Sequence, residues 1–223
     1  MESIDKLTLD FLKRLRQNNN RDWFLANKSE YLKARNNYES FVEKILSKIT
    51  EIEPIIKGLE VKSCVYRINR DIRFSNDKSP YKSHLGAYIV RGGKQNGDRY
   101  AGYYFHVEPG NNSMIAGGAY MPPSPWLNAI REEIDENGEK LQKILNSKDF
   151  LKVFGKLDGE KLKSAPKGYP KDHPHIELLK MKSFLAVRML SDKEIVSGNC
   201  LNIMYDAVLR IKPLNDFLNN SYL

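Results

Sequence analysis

YAGYYFHVEPGNNSMIAGGAY, residues 100–120, decides the fold. From Tyr100 to Glu108 the chain alternates strictly. Ala101, Tyr103, Phe105 and Val107 fall on one face, and Gly102, Tyr104, His106 and Glu108 on the other, which is the period of a strand. Pro109-Gly110-Asn111-Asn112 is a turn, and Ser113 to Tyr120 returns as the antiparallel partner. Gly117-Gly118 inside the returning strand marks a bulge or a close backbone approach. Working outward, Leu85 to Val90 reads as a further strand, closed by Gly92-Gly93 and Gln95-Asn96-Gly97. Val61, Cys64, Val65, Tyr66 and Ile68 read as another before it, and Phe184 to Leu190 as one more near the C-terminus. Short strands joined by tight turns predict an antiparallel sheet.

Helical periodicity flanks this sheet. Tyr31, Tyr38, Phe41, Val42, Ile45, Leu46, Ile49 and Ile52 recur at steps of three, four and seven, so a long helix is predicted from near Ser29 to Pro54. A shorter helix precedes it, capped by Thr8 or Asp10 and ended by Asn18-Asn19-Asn20, and another starts at Asp22. After the prolines at 122, 123 and 125, Ser124 is predicted to cap a helix bearing Trp126, Leu127, Ile130 and Ile134. Further helices are expected after Gly138, at Phe150 to Phe154, and at Asp172 with Pro174 in the first turn. Ser191-Asp192 should cap a short helix, and the last helix runs from Cys200 into Phe217, kinked or divided by Pro213. Helices, then strands, then helices predict an α+β fold with a central antiparallel sheet. A single domain is expected, with N-terminal helices over about 7–54, the sheet over about 61–121 and a C-terminal helical region over about 124–220.

The chain has 223 residues, of which 41% are hydrophobic and 29% charged. That composition suits an ordinary folded protein with a sizeable core and excludes a disordered one. No run of about 18 apolar residues spans a membrane, and the acidic start, Met1 to Asp10, has no secretory signal. Cys64 and Cys200 form no paired-cysteine motif, so they are expected as buried thiols in a reducing cytoplasm.

The formal net charge is +8. Nine basic residues against three acidic ones lie between positions 61 and 100. They are densest in Arg67-Ile-Asn-Arg-Asp-Ile-Arg-Phe-Ser-Asn-Asp-Lys-Ser-Pro-Tyr-Lys82. Arg67, Arg70, Arg73, Lys78 and Lys82 could grip an anionic group, with Asp71, Asp77 and Tyr81 among them. The alternative is a network of arginine–aspartate pairs that pins a long loop onto the sheet. No glycine-rich phosphate loop or dinucleotide fingerprint accompanies the stretch.

His106 and Glu108, two apart on one strand face beside Tyr104, are the candidate acid–base pair; they could equally be polar decoration of a sheet. His173 and His175 are too close in sequence to share one helix face. With no His-Glu-x-x-His helix and no paired cysteines, no metal site is predicted, and His84, His106, His173 and His175 could meet only through tertiary folding. The sequence leaves any cofactor unknown.

The basic stretch, the run Ala101-Gly102-Tyr103-Tyr104-Phe105-His106-Val107-Glu108-Pro109-Gly110, the Gly-Gly and Met-Pro-Pro that follow, Asp172-His173-Pro174 running into Glu177-Leu178-Leu179-Lys180, and the early Asn20-Arg21-Asp22-Trp23-Phe24 together resemble one family. It is the bacterial conserved hypothetical proteins grouped as domain of unknown function 2461, and the resemblance spans nearly the whole chain. It implies a single α+β domain in a cytoplasmic bacterial protein, and it carries over no catalytic residue.

Three functions follow from these residues. The first is a binding protein or enzyme with a basic pocket for a small phosphate- or carboxylate-bearing ligand, held by Arg67, Arg70, Arg73, Lys78 and Lys82, with His106 and Glu108 for proton transfer. The second is a nucleic-acid-binding module, with the basic loop on phosphates and Tyr81 or Phe74 stacking on bases. The third is an interaction domain whose basic face docks an acidic protein. The sequence leaves the reaction, the substrate and the oligomeric state open.

Overall fold

A computed structural model of the chain describes residues 2–73 and 75–221. Three N-terminal helices, α1 (Lys6–Gln17), α2 (Arg21–Ala26) and α3 (Lys28–Ile52), lead through the short α4 (Val61–Cys64) into the sheet. Strands β1 (Leu85–Ile89), β2 (Gly102–Val107) and β3 (Ser113–Ala119) follow. Then come α5 (Ser124–Leu145), α6 (Lys148–Phe154), α7 (Ile176–Leu179), β4 (Phe184–Leu190), α8 (Asp192–Ile195) and α9 (Cys200–Asn220). The sheet is antiparallel throughout, in the order β1-β2-β3-β4. The predicted α+β class and central antiparallel sheet are therefore what the chain forms. The strand expected at Phe184 to Leu190 is β4; it lies within the C-terminal helical region and returns from far along the chain to pair with β3.

Strict alternation places the layers. Tyr103, Phe105 and Val107 face inward, and α3 and α9 cover that side. The Tyr38 hydroxyl of α3 donates to the Phe105 carbonyl at 2.8 Å. Asn215 and Asn219 of α9 bond the backbone of Gly102 and Ala101, which fixes the start of β2. The opposite face is more open. Tyr104, Met114 and Val187 are half-buried there, and Met189 is exposed.

Several local expectations differ from the structure. Residues 61–68 are not a strand. Val61–Cys64 makes one helical turn, then single bridges join Val65 to Ala87 and Asn69 to Tyr81. Val61, Cys64, Val65 and Ile68 stand at i, i+3, i+4 and i+7, the helical spacing and not the alternation of a strand, and Cys64, Val65 and Ile68 are all buried. Helix α1 begins at Lys6 after Asp5, so Thr8 lies inside it and its hydroxyl serves Asn37 of α3 instead of a cap. Helix α5 begins at Ser124 itself, after Pro123, and it runs past Gly138 with a break in helical geometry at Asn137. The helix expected from Asp172 starts only at Ile176, after His175. Pro213 does not divide α9, because Val208, Ile211, Leu214 and Phe217 on both sides of it are buried in the same core. Ser191 caps α8 as predicted, in a reciprocal capping box with Glu194.

Candidate functional site

Strand β2 holds Tyr104 and His106 on its open face, and Glu108 lies just past its end. Ser113, opposite, fixes Glu108: its hydroxyl accepts from the Glu108 amide and donates to the Glu108 carbonyl, each at 3.0 Å. The side chains form a chain of hydrogen bonds. Tyr104 Oη lies 2.9 Å from His106 Nδ1, and His106 Nε2 lies 2.8 Å from Glu108 Oε2. A carboxylate only accepts, so Nε2 carries a hydrogen, and in the neutral ring Nδ1 then accepts from the Tyr104 hydroxyl. Gly86, paired with His106 across β1, makes room for this chain, since a Cβ there would stand 2.9 Å from Tyr104 Oη.

His106 is 6% exposed and is the inner link; Tyr104 and Glu108 are its more accessible ends. Arg16 of α1 and Ser83 both donate to Glu108 Oε1. The His84 ring lies on that of His106, centroids 4.3 Å apart. Across from them the Tyr66 ring meets Tyr104 edge-on, and Lys82 Nζ sits 5.4 Å above Tyr66 while donating to the Arg67 carbonyl. Burial, then the neighbouring His106, pushes His84 down to about 4, so its ring is neutral at neutral pH. Burial, then Tyr66 and Glu108, pushes the Tyr104 phenol up to about 12. Burial and then Arg67 push the Lys82 ammonium down. Among the described residues, His84, His106 and Glu108 offer ligand atoms that all lie within 4.8 Å of one another.

The structure sorts the basic stretch in two. Arg70 is bound within its own loop, to Asp77 and to the hydroxyls of Ser79 and Ser75. Arg73 pairs with Asp71 at 2.6 Å, and Lys78 donates to the Ile72 carbonyl. Tyr81 is buried, stacked on Phe24 at 4.0 Å with Asn19 bonding its backbone on both sides, so its ring fastens the loop to α2 and is not offered to a ligand. Phe74 lies outside the described residues. Lys82 remains over Tyr66, and Arg67 makes no ion-pair contact among the described residues, although its charge, after the bonds from Arg73, helps hold the Asp71 carboxyl down. His173 serves another corner, holding Asp135 of α5 at 2.9 Å and accepting from the His175 amide.

Sequence reasoning missed Arg16, Tyr66 and Ser83 as neighbours of the site. Tyr66 carried a faint signal, an aromatic residue beside the basic run. Arg16 carried none, because it reaches Glu108 across 92 positions of chain. The free thiols of Cys64 and Cys200 are both buried, and burial pushes both up, as expected of packing residues. No described helix is long and apolar enough to cross a membrane. No curated protein and no solved structure matches the chain. A family model, described as conserved hypothetical protein, does match over residues 7–217, and by that match the chain belongs to the DUF2461 family.

Proposed function

We propose that the protein binds a small phosphate- or carboxylate-bearing ligand on the open face of the sheet and exchanges a proton with it through Tyr104, His106 and Glu108. The observation that carries this reading is the pair Arg67 and Lys82: two like charges near enough that Arg67, after burial, disfavours the Lys82 ammonium, which lies over the Tyr66 ring at the Tyr104 end of the hydrogen-bonded chain. An anion placed between them relieves their repulsion and lies within reach of the phenol. The Tyr104 hydroxyl is the group that meets the ligand. His106 orients it and takes up or returns its proton, and Glu108, held by Arg16, stabilises the imidazolium that forms. Arg70, Asp71, Arg73, Asp77 and Lys78 shape the loop beside the site. A reducing compartment such as the cytoplasm suits the two free thiols. The nucleic-acid alternative lacks Tyr81 as a stacking platform, since Phe24 covers that ring.

Isothermal titration with inorganic phosphate, pyrophosphate and citrate tests the reading. Saturable binding of at least one at millimolar or tighter affinity is expected, lost in Arg67→Ala/Lys82→Ala and kept in Arg73→Ala. Equal binding by the double variant and wild type, or no binding of any of the three, would falsify it.

A further inference from the structure

We propose that His84, His106 and Glu108 bind one divalent first-row transition ion, such as zinc, iron(II) or manganese(II). The inference goes beyond the reading above: the anion stays with Arg67 and Lys82, and with the ion bound His106 serves as a ligand instead of taking the Tyr104 proton. Two imidazoles and one carboxylate are a donor set such ions favour, and three protein ligands leave further positions for water or a ligand. The ligand atoms lie within 4.8 Å of one another. Metal bonds of about 2.0–2.2 Å bring such atoms to about 3 Å apart, so the triad closes by side-chain rotation. His106 Nε2 and Glu108 Oε2 are already 2.8 Å apart.

The surroundings also suit a metal. Ligating histidines ordinarily bond a partner through the other ring nitrogen, and ligating carboxylates are themselves held by donors. Tyr104 stands on Nδ1 of His106. Arg16 and Ser83 hold Oε1 of Glu108, which leaves Oε2 for the ion. An ion at Nε2 replaces the proton there, and the neutral imidazole then carries its hydrogen on Nδ1, with the proton count unchanged. The Tyr104–His106 hydrogen bond reverses. Nδ1–H donates to Tyr104 Oη, and the phenol's own hydrogen is freed toward whatever occupies the open positions. No motif announces this site, because His84 comes from the loop before β1 and the other two ligands from β2 and its end.

The test uses the full chain treated with chelator and desalted. Titrations with zinc and manganese(II) are followed by calorimetry and by melting temperature, with magnesium, which prefers all-oxygen sites, as control. The expected result is one ion per chain, a rise in melting temperature, and at least about tenfold weaker binding in His84→Ala and Glu108→Gln. His173→Ala, which removes the exposed-side pair with Asp135, should bind as wild type. Cobalt(II) keeps the outcome independent of variant folding: its visible spectrum in the wild type should show nitrogen coordination. Binding unchanged in both site variants, lost in His173→Ala, or absent altogether overturns the proposal. Phosphate titrated into the chelator-treated protein reads the anion site separately. Phosphate binding without metal binding overturns the ion alone, and metal binding without phosphate binding overturns the anion reading alone.

Discussion

Asp77 shows how a charge dense in the sequence becomes local scaffolding. Its carboxylate accepts from the Ser79 amide and from Arg70, and these bonds hold it down to about 2 from an ordinary 3.8. In the unfolded chain Asp77 takes a proton at higher pH than in the folded one. Its contribution is therefore present above about pH 4 and is lost as the pH falls through about 2. Arg70→Ala removes the second cause and leaves the first. A carboxyl-carbon NMR titration should show the Asp77 midpoint higher in that variant than in wild type, though still below 3.8. An unmoved midpoint would mean that Arg70 does not hold Asp77 in solution. At this scale the shared face of Tyr104, His106 and Glu108 was readable, but the partners of the charged residues were not. His106 and Glu108 were legible because a strand repeats every two residues. The division of the basic stretch, with Arg70 and Arg73 tied to aspartates and Lys82 left over Tyr66, was not legible. It depends on how a loop folds back on itself, and the spacing Arg-x-x-Arg-x-x-Arg does not encode that.

Strand β3 shows what was legible at the scale of elements. Its glycines suggested a bulge or a close approach, and close approach is what they serve. Gly117 faces α9, where a Cβ would lie 2.2 Å from Ile211 Cγ2. Gly118 has φ +117° and would place a Cβ 1.9 Å from the Phe184 carbonyl oxygen of β4. The β3–β4 pairing therefore depends on a residue without a side chain. Gly118→Ala adds both backbone strain and an overlap that only backbone movement can relieve, so a loss of about 2–4 kcal/mol is expected in urea unfolding. A loss under about 0.5 kcal/mol, the usual range for a surface change, would show that β4 can shift to accommodate a methyl group. Elements with long, regular periodicity, α3, β2 and β4 among them, were readable. The turn at Val61–Cys64 was misread as a strand, although Val61, Cys64, Val65 and Ile68 stand at the helical spacing, because the run is too short for periodicity to settle and leads straight into the sheet. Helix α9 was readable except at Pro213, where burial of both halves in the core overrides the missing amide.

Across the whole molecule, one continuous hydrophobic cluster runs from Ile4 to Leu218 and takes in residues of the N-terminal helices, the sheet and the C-terminal helices alike. The N-terminal segment is also joined to α8 and the first turn of α9. The Ile4 amide donates to the Ile195 carbonyl at 3.1 Å, and the Leu201 amide to the Glu2 carbonyl at 3.0 Å. The sheet itself needs distant sequence, since β3 cannot be flanked on both sides until β4 arrives. We therefore expect the chain to unfold as one cooperative unit. Its two tryptophans sit far apart in sequence and report on different parts of this core. Trp23 lies in α2 against Phe11, and Trp126 is fully buried in α5 with its Nε1 donating to the Leu218 carbonyl. Trp126→Phe leaves Trp23 as the sole reporter, and Trp23→Phe leaves Trp126. In each variant the fluorescence transition in urea should share its midpoint with far-ultraviolet circular dichroism, even if the two variants differ in stability. If Trp23 fluorescence changes at a lower urea concentration than the circular dichroism of the same variant, the N-terminal helices form a separate unit. The Arg16–Glu108 contact would then open before the sheet does, and the site with it.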